Sequence, residues 1–337
     1  MTKKRLASYG INLGIVAAVY VILLVLMNAG VINRYYSGII TMVGINIILA
    51  VSLNLATGFL GELVLGHAGF MAVGAYCSAL ITMNMGIDEA IAFPISLLAG
   101  GLLAAVVGFL IGIPALRLKG DYLAIITLGF GEIIRVILTS MDSVTGGARG
   151  LSGIPALTDY SWVFFIAALT VFLCYTLIHS RDGRQIITIR EDEIASEASG
   201  VNTTYIKMLA FVISAFFAGI AGGLYAHHIG VLEPSKFDFN YSVEILVMVV
   251  LGGMGSVTGS IIAAIVLTIL PEALREFADY RMLLYSALLI VMMLFKPLGL
   301  LGKVEFSLAG LGRALKRLRH KNHAAKVAKQ IAGGKED

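Results

Sequence analysis

The chain has 337 residues, of which 58% are hydrophobic and only 14% are charged. A soluble domain carries about 25% charged residues, so this composition excludes an ordinary soluble fold and predicts that lipid surrounds much of the protein. The net charge of +4 comes largely from basic residues near the two ends of the chain, a distribution that argues against nucleic-acid binding.

Ten apolar segments follow one another along the chain, and we interpret each as a membrane-spanning helix. The first follows a short basic stretch and resembles a signal peptide, but we find no convincing cleavage site and interpret it as a retained span. The weakest predictions are the fifth segment, which contains Glu132 and Arg135, and the short eighth segment. The ten segments lie near 9–29, 38–56, 66–85, 91–113, 122–139, 161–179, 208–228, 242–253, 257–273 and 282–296.

Basic residues in short loops predict the orientation of such a chain. Ten crossings that start from a cytoplasmic N-terminus place Arg117, Lys119, the polar segment 181–207 and a basic tail at 304–337 in the cytoplasm. The loops at 140–160 and 230–241 then lie outside. Both termini are therefore predicted to be cytoplasmic, and the tail is predicted either to lie on anionic lipid or to be solvated. Four arginines depart from the rule: Arg34, Arg149, Arg275 and Arg281.

Two glycine-rich interruptions occur at corresponding places in the two halves of the chain. They are GFLGELVLGHAGF at 58–70 and VLGGMGSVTG at 250–259. Such interruptions predict broken helices and an inverted repeat, although glycine is also simply common in membrane helices. Pairs of glycines four residues apart favour close helix packing; they are Gly108/Gly112, Gly219/Gly223 and Gly255/Gly259.

Ionisable residues within apolar segments need a cavity, a partner or the interface. Glu62 and His67 flank the first interruption, and either line a translocation pathway or cap the ends of broken helices. Glu132 and Arg135 are three residues apart and are predicted to pair on one helix face. The candidate pathway residues are Glu62, Gly66, His67, Glu132, Gly252 and Gly253.

Motifs of catalysis are absent from the sequence. It contains no phosphate-binding P-loop, no H-E-x-x-H, no G-x-S-x-G and no Cys/His cluster. Cys77 and Cys174 lie in apolar segments and are interpreted as small buried hydrophobic residues. We therefore predict no enzymatic activity, no cofactor and no metal site.

The segment RDGRQIITIREDEIASEASGVNTTYIK at 181–207 carries nine charges between two spans. Its spacing predicts a short helix within 189–200 that ends at Gly200. This helix either docks in a groove of a partner, with Arg190, Glu193 and Glu197 on the rim, or is a solvated loop without a partner.

Several long stretches carry a resemblance to a known family. They are SLNLATGFLGELVLGHAGFMAVGAY at 52–76, LRLKGDYLAIITLGFGEIIRVIL at 116–138, GGARGLSGIP at 146–155, the stretch 183–226, VLGGMGSVTGSIIAA at 250–264 and FKPLGLLGK at 295–303. With them the chain resembles the membrane permease subunits of bacterial ABC importers for branched-chain amino acids. The second and third stretches favour the LivM-type branch over the sister LivH-type branch.

The resemblance implies an all-α polytopic protein of the bacterial inner membrane, with a permease domain at 1–303 and the tail at 304–337. It implies that segment 181–207 couples the permease to ATP-binding subunits, which hydrolyse ATP. It further implies a sister permease as heterodimer partner, a periplasmic solute-binding protein and alternating access. The residues that fall in the coupling segment by position are Arg190, Glu193, Ala195, Glu197, Ala198 and Gly200.

Alternatives remain open at this point. Related permeases serve leucine, isoleucine and valine, other amino acids, or urea and short amides. A secondary transporter driven by ions through Glu62, Glu132 or Glu244 is a different class of function, but it has no need of an ATPase dock. A membrane enzyme is disfavoured by the missing catalytic motifs.

Overall fold

The computed structural model of the chain describes residues 3–30, 32–86, 88–275, 280–296, 299–300 and 302. Within them lie thirteen α-helices and one pair of two-residue strands, so the prediction of an all-α fold is confirmed. Residues 32–303 form one compact unit, and residues 1–31 belong to another. The predicted tail at 304–337 lies outside the described residues.

All ten predicted segments correspond to helices, namely α1 to α5, α7 and α10 to α13. The helices are α1 Lys3–Asn28, α2 Arg34–Asn54, α3 His67–Asn84, α4 Glu89–Ala115, α5 Asp121–Ser140, α6 Asp142–Thr145, α7 Tyr160–Ile178, α8 Arg181–Glu191, α9 Glu193–Ala198, α10 Thr203–Ile229, α11 Phe239–Gly252, α12 Val257–Ala273 and α13 Arg281–Phe295. Strand β1, Leu151–Ser152, pairs antiparallel with β2, Val231–Leu232.

Five helices in the described part of the chain are long and apolar enough to cross a membrane. They are α2 with the turn that follows it, α4, α5, α7 and α10. Shorter apolar helices include Val257–Ala273 and the stretch Val16–Met27. The chain is therefore a multi-pass membrane protein, with five spans evident from length and composition.

Close backbone contacts define the centre of the fold, where α10 packs against α3 and α4. A Cβ atom on Gly74 of α3 would lie 2.1 Å from the carbonyl oxygen of Gly219 on α10, and one on Gly222 would lie 1.9 Å from that of Met71. Only glycine permits helices to approach this closely, and such contact stabilises helix pairs in lipid by van der Waals packing.

The predicted glycine pairs are confirmed on α4 and α10. A Cβ on Gly108 would lie 2.6 Å from the Cβ of Ala215, and one on Gly223 would lie 2.6 Å from a methyl carbon of Leu97. The pair Gly255/Gly259 is wrong as a helix-packing motif, because Gly255 lies before α12 with φ +88°.

Two contacts confirm which loops lie at the same end of the bundle. Lys119, in the loop after α4, forms an ion pair with Glu193 of α9, with 2.7 Å between Nζ and Oε2. At the other end, Leu151 pairs with Leu232 and brings together the loops that follow α5 and α10. These groupings match those predicted from the basic residues.

Candidate functional site at the two helix breaks

Helix α2 ends in a break before α3 begins. Its last turn widens into a π-helical turn at Leu55–Phe59, and the chain is then irregular as far as α3. Gly61 has φ +86°, which glycine adopts without a Cβ clash. A second break, at 253–256, separates α11 from α12, and Gly253 and Gly255 have φ +113° and +88°. The predicted helix breaks at both glycine-rich interruptions are confirmed.

The two breaks are in direct contact, although some 200 residues separate them in the chain. The buried side chain of Asn54 donates from Nδ2 to the Ser256 carbonyl and to Ser260 Oγ, both at 2.9 Å. Its Oδ1 accepts from the Gly255 amide at 3.0 Å. A Cβ on Gly58 would lie 2.5 Å from that amide nitrogen. Asn54 therefore holds the two breaks together. Its hydrogen bonds use both N–H donors of the side-chain amide and one of the two lone pairs of the amide oxygen.

The polar segment folds as two short helices joined at Asp192. Ser180 Oγ accepts from the Gly183 amide at the start of α8, and Asp192 Oδ1 accepts from the Ala195 amide at the start of α9. These are ordinary N-terminal caps. The prediction of a single helix within 189–200 is therefore wrong, because the extended Asp192 (φ −159°) ends α8 and caps α9. The predicted stop at Gly200, with φ +84°, is confirmed.

Arg190, near the end of α8, reaches the first break. Its Nη1 donates to the Gly58 carbonyl at 2.8 Å, and its Nη2 lies 2.7 Å from the carboxylate of Glu191. The side chain of Arg190 is only 19% exposed. A Cβ on Gly61 would lie 2.7 Å from the Arg190 Cγ, and one on Gly255 would lie 2.9 Å from Nη1. Both breaks thus leave room for the Arg190 side chain, with Gly61 beside its aliphatic part and Gly255 beside its guanidinium group.

A chain of ion pairs runs from the loop after α4 through α9 to the first break. Lys207 of α10 lies 2.7 Å from a carboxylate oxygen of Glu62 and 2.7 Å from one of Glu193. The other oxygen of Glu193 lies 2.7 Å from the Lys119 ammonium group. Lys207 is 4% exposed and Lys119 is 69% exposed, so the chain extends from solvent into the protein interior.

The opposite side of α9 faces away from the core. Ile194 on this side is 76% exposed. The expected rim is only partly present: Arg190 and Glu193 turn inward, whereas Glu197 is exposed and accepts a hydrogen bond from Thr203 Oγ1. The other exposed residues of the predicted coupling set are Ala195, Ala198 and Gly200.

His67 and Gly66, two of the candidate pathway residues, lie where α3 begins. His67 is fully buried, with Nε2 3.1 Å from Ser52 Oγ, and its Nδ1 has no hydrogen-bond partner in the described part of the chain. A Cβ on Gly66 would lie 2.3 Å from the Thr127 carbonyl oxygen of α5. This residue therefore allows the start of α3 to touch α5.

The remaining candidate pathway residues lie away from the start of α3. Glu132 pairs with Arg135 at 2.7 Å, as predicted, and lies where α5 approaches α3 and α11. A Cβ on Gly252 would lie 2.5 Å from the Gly259 carbonyl oxygen, so Gly252 packs α11 closely against α12. Glu62 is joined to the coupling segment through Lys207.

Among the described residues there is no cluster of three or more His, Cys, Asp or Glu side chains that could bind a metal ion. Both cysteines are free thiols, with Cys174 buried and Cys77 partly buried. The candidate site at the two breaks is formed by the hydrogen bonds and ion pairs given above, which join the ends of helices.

Comparison with known proteins identifies the family. Residues 35–295 match the family described as branched-chain amino acid transport system / permease component. The chain belongs to this permease family. It is 39% identical over 304 residues to the branched-chain amino acid transport permease LivM of Salmonella typhimurium and 40% identical to LivM of Escherichia coli, covering 80% of this chain and 71% of each relative.

Identity to the sister branch is lower. The permease is 30% identical over 292 residues to LivH of Escherichia coli, covering 77% of this chain and 91% of that protein. The higher identity to LivM confirms the resemblance to the LivM-type branch. No solved structure matches the chain.

Four residues of the site were not predicted to belong to it: Asn54, Gly61, Lys207 and Lys119, the last of which served only to predict the orientation of the chain. Lys207 carries a usable signal, because a lysine in the second turn of an apolar helix requires a partner. The sequence does not indicate which carboxylates pair with it. Asn54 carries only the weaker signal of an amide at the end of an apolar helix.

We expect the contribution of Glu193 to the stability of this permease to depend on pH. Partial burial alone raises the pKa of Glu193, but hydrogen bonds from Lys119 and Lys207 outweigh it and hold the pKa below the ordinary value of 4.5. Because the folded state favours the charged carboxylate, this stability is present above pH 4.5 and is lost as the pH falls through the lowered pKa.

Thermal unfolding of the purified permease and its Glu193→Gln variant, from about pH 7 to about pH 3, measures this effect. The wild type is expected to be the more stable at neutral pH, and the difference is expected to shrink in acid. A difference that is constant across this range would contradict the prediction.

Proposed function

We propose that this chain is the membrane-spanning subunit of an ATP-driven importer of branched-chain amino acids. The observation that carries the proposal is that the two sides of α8–α9 differ. One side is bonded to the helix breaks, and the other presents Ile194 to solvent. A short helix that is bonded on one side and carries an open apolar side chain on the other can bind in a groove of a partner protein. We assign that surface to ATP-binding subunits, which supply the energy that this chain does not generate.

The other subunits of the proposed importer are a sister permease and a solute-binding protein. A sister permease forms a heterodimer with this chain, and a periplasmic solute-binding protein delivers the amino acid at the face opposite α9. The names of the relatives, permease proteins LivM and LivH of branched-chain amino acid transport systems, support the substrate class and the sister permease. The chain lies in the bacterial inner membrane.

We propose ten membrane crossings with both termini in the cytoplasm. The ten helices that correspond to the apolar segments support this number, and the ion pair between Lys119 and Glu193 supports the grouping of cytoplasmic loops. An inverted repeat is supported by the similar pairs α2–α3 and α11–α12, each interrupted by glycines, whose breaks contact each other.

The translocation pathway is proposed to run along these breaks, where irregular backbone presents polar groups inside a membrane protein. Glu62 lies at its cytoplasmic end, beside the coupling segment. The other residues assigned to the pathway are Gly66, His67, Glu132, Gly252 and Gly253.

Ile194→Asp is expected to abolish binding of the ATP-binding subunits, because it replaces the exposed apolar contact of α9 with a charge. The measurement is co-purification of those subunits, followed by ATP-dependent leucine uptake in proteoliposomes that contain the complete transporter. Val144→Asp is the matched control: this valine is 42% exposed and lies on α6, in the loop after α5 at the end of the bundle opposite α9.

The control variant is expected to retain the ATP-binding subunits. Unchanged co-purification and uptake in Ile194→Asp would remove α9 from the docking surface. Uptake by the purified chain alone, driven by a proton or sodium gradient, would contradict the proposed function and favour a secondary transporter.

A further inference from the structure

Lys207 bridges two carboxylates that belong to different parts of the fold. Glu62 lies in the break after α2, Glu193 lies on the docking helix α9, and both lie 2.7 Å from the same ammonium nitrogen. A buried ion pair of this kind is no more stable than well-packed apolar residues of similar volume. Stability alone therefore does not explain why Lys207 and Glu62 are buried here.

Arg190 makes a second, independent connection at the same place. It joins α8 to the Gly58 carbonyl of the first break, and Gly255 of the second break leaves space for the same guanidinium group. Asn54 in turn bonds the two breaks to each other. A displacement of α8–α9 therefore reaches both breaks through side-chain contacts.

These connections resist stretching. Separating Lys207 from its carboxylates leaves charges unpaired in a buried setting, which is costly. Helix breaks are places where a few residues can absorb large changes in φ and ψ while the flanking helices stay intact. The segment and the breaks are thus built to move together.

We propose that Arg190 and Lys207 are positioning residues that transmit movement of α8–α9 to the two helix breaks and so couple ATP hydrolysis to opening of the pathway. The inference rests on the proposed function, in which α9 binds the ATP-binding subunits. Arg190 and Lys207 face inward and transmit the movement, whereas the outward side of α9 around Ile194 binds the ATP-binding subunits.

The test is the number of ATP molecules hydrolysed per leucine taken up by the complete transporter in proteoliposomes. Arg190→Met and Lys207→Met are expected to raise this ratio about tenfold, within the range of coupling between distant sites in proteins. A variant that merely folds less well lowers hydrolysis and uptake in proportion and leaves the ratio unchanged. Arg190→Lys, which keeps a charge that can reach Gly58, is expected to restore part of the coupling.

Two matched controls remove exposed members of the same network. Glu191→Gln breaks the surface pair with Arg190 and leaves the bond to Gly58, and Lys119→Met leaves Lys207 between its carboxylates. Both are expected to keep the wild-type ratio. Glu62→Gln, a milder change that keeps the shape of the side chain, is expected to raise the ratio less than Lys207→Met.

An unchanged ratio in Arg190→Met and Lys207→Met would overturn the inference. So would failure of these two variants and of Glu62→Gln to assemble, since the network would then serve the fold alone. Failure of the wild-type chain to bind ATP-binding subunits would instead reject the proposed function, and this outcome is read from co-purification before any ratio is measured.

Discussion

Replacement of Gly222 by leucine is expected to abolish the folded core of this permease. Even a single Cβ at Gly222 would lie 1.9 Å from the Met71 carbonyl oxygen and 2.9 Å from the Ala75 nitrogen. These are backbone atoms of α3, so no side-chain rotation relieves the clash, and α3 has to separate from α10. We expect a loss of more than about 4 kcal/mol, the range reserved for severe core disruption.

Gly129→Leu is the control for this substitution. Gly129 also lies within a helix, α5, but no atom outside its own helix lies within 4 Å of the position of its Cβ. We expect this variant to remain within about 1 kcal/mol of the wild type. Thermal unfolding of the two purified variants in detergent makes the comparison. Wild-type stability of Gly222→Leu would mean that α3 and α10 do not pack as closely as described.

Lys207→Met is expected to destabilise the chain by about 3–5 kcal/mol, because it leaves the buried carboxylate of Glu62 without its partner. Lys119→Met removes the other lysine bound to Glu193, but that side chain is 69% exposed, and the expected loss is at most about 1 kcal/mol. Denaturant or thermal unfolding of the two variants measures the difference. Equal losses would show that burial does not distinguish the two ion pairs.

A double variant separates stability from coupling. Adding Glu62→Leu to Lys207→Met removes the unpaired carboxylate and is expected to recover much of the lost stability, since apolar replacement of a buried pair is often neutral. Glu193 keeps its bond to Lys119. The double variant is nevertheless expected to hydrolyse ATP without efficient uptake, because the connection to the first break is still missing.

The spans were predictable because membrane insertion depends on local hydropathy. Even the segment with Glu132 and Arg135 folds as helix α5, since the two charges pair on one face. The polar segment was less predictable. One helix was predicted there, but the structure has two. The capping residues Ser180 and Asp192 are typical of helix starts and could have indicated both. The inward turn of Arg190 and Glu193 was not predictable, because it depends on Gly58 and Lys119, which lie more than 60 residues away along the chain, as well as on Lys207 of the next helix.

The apolar segments, the glycine interruptions of the helices and the charged loops could all be predicted from short stretches of the chain. These properties belong to windows of about twenty residues, the length needed to cross a bilayer. The meeting of the two breaks at Asn54 and the position of Lys207 between Glu62 and Glu193 became visible only once the helices were packed together. Ion pairs and hydrogen bonds act over a few ångströms, so their partners are chosen by helix packing, which the order of residues along the chain does not reveal.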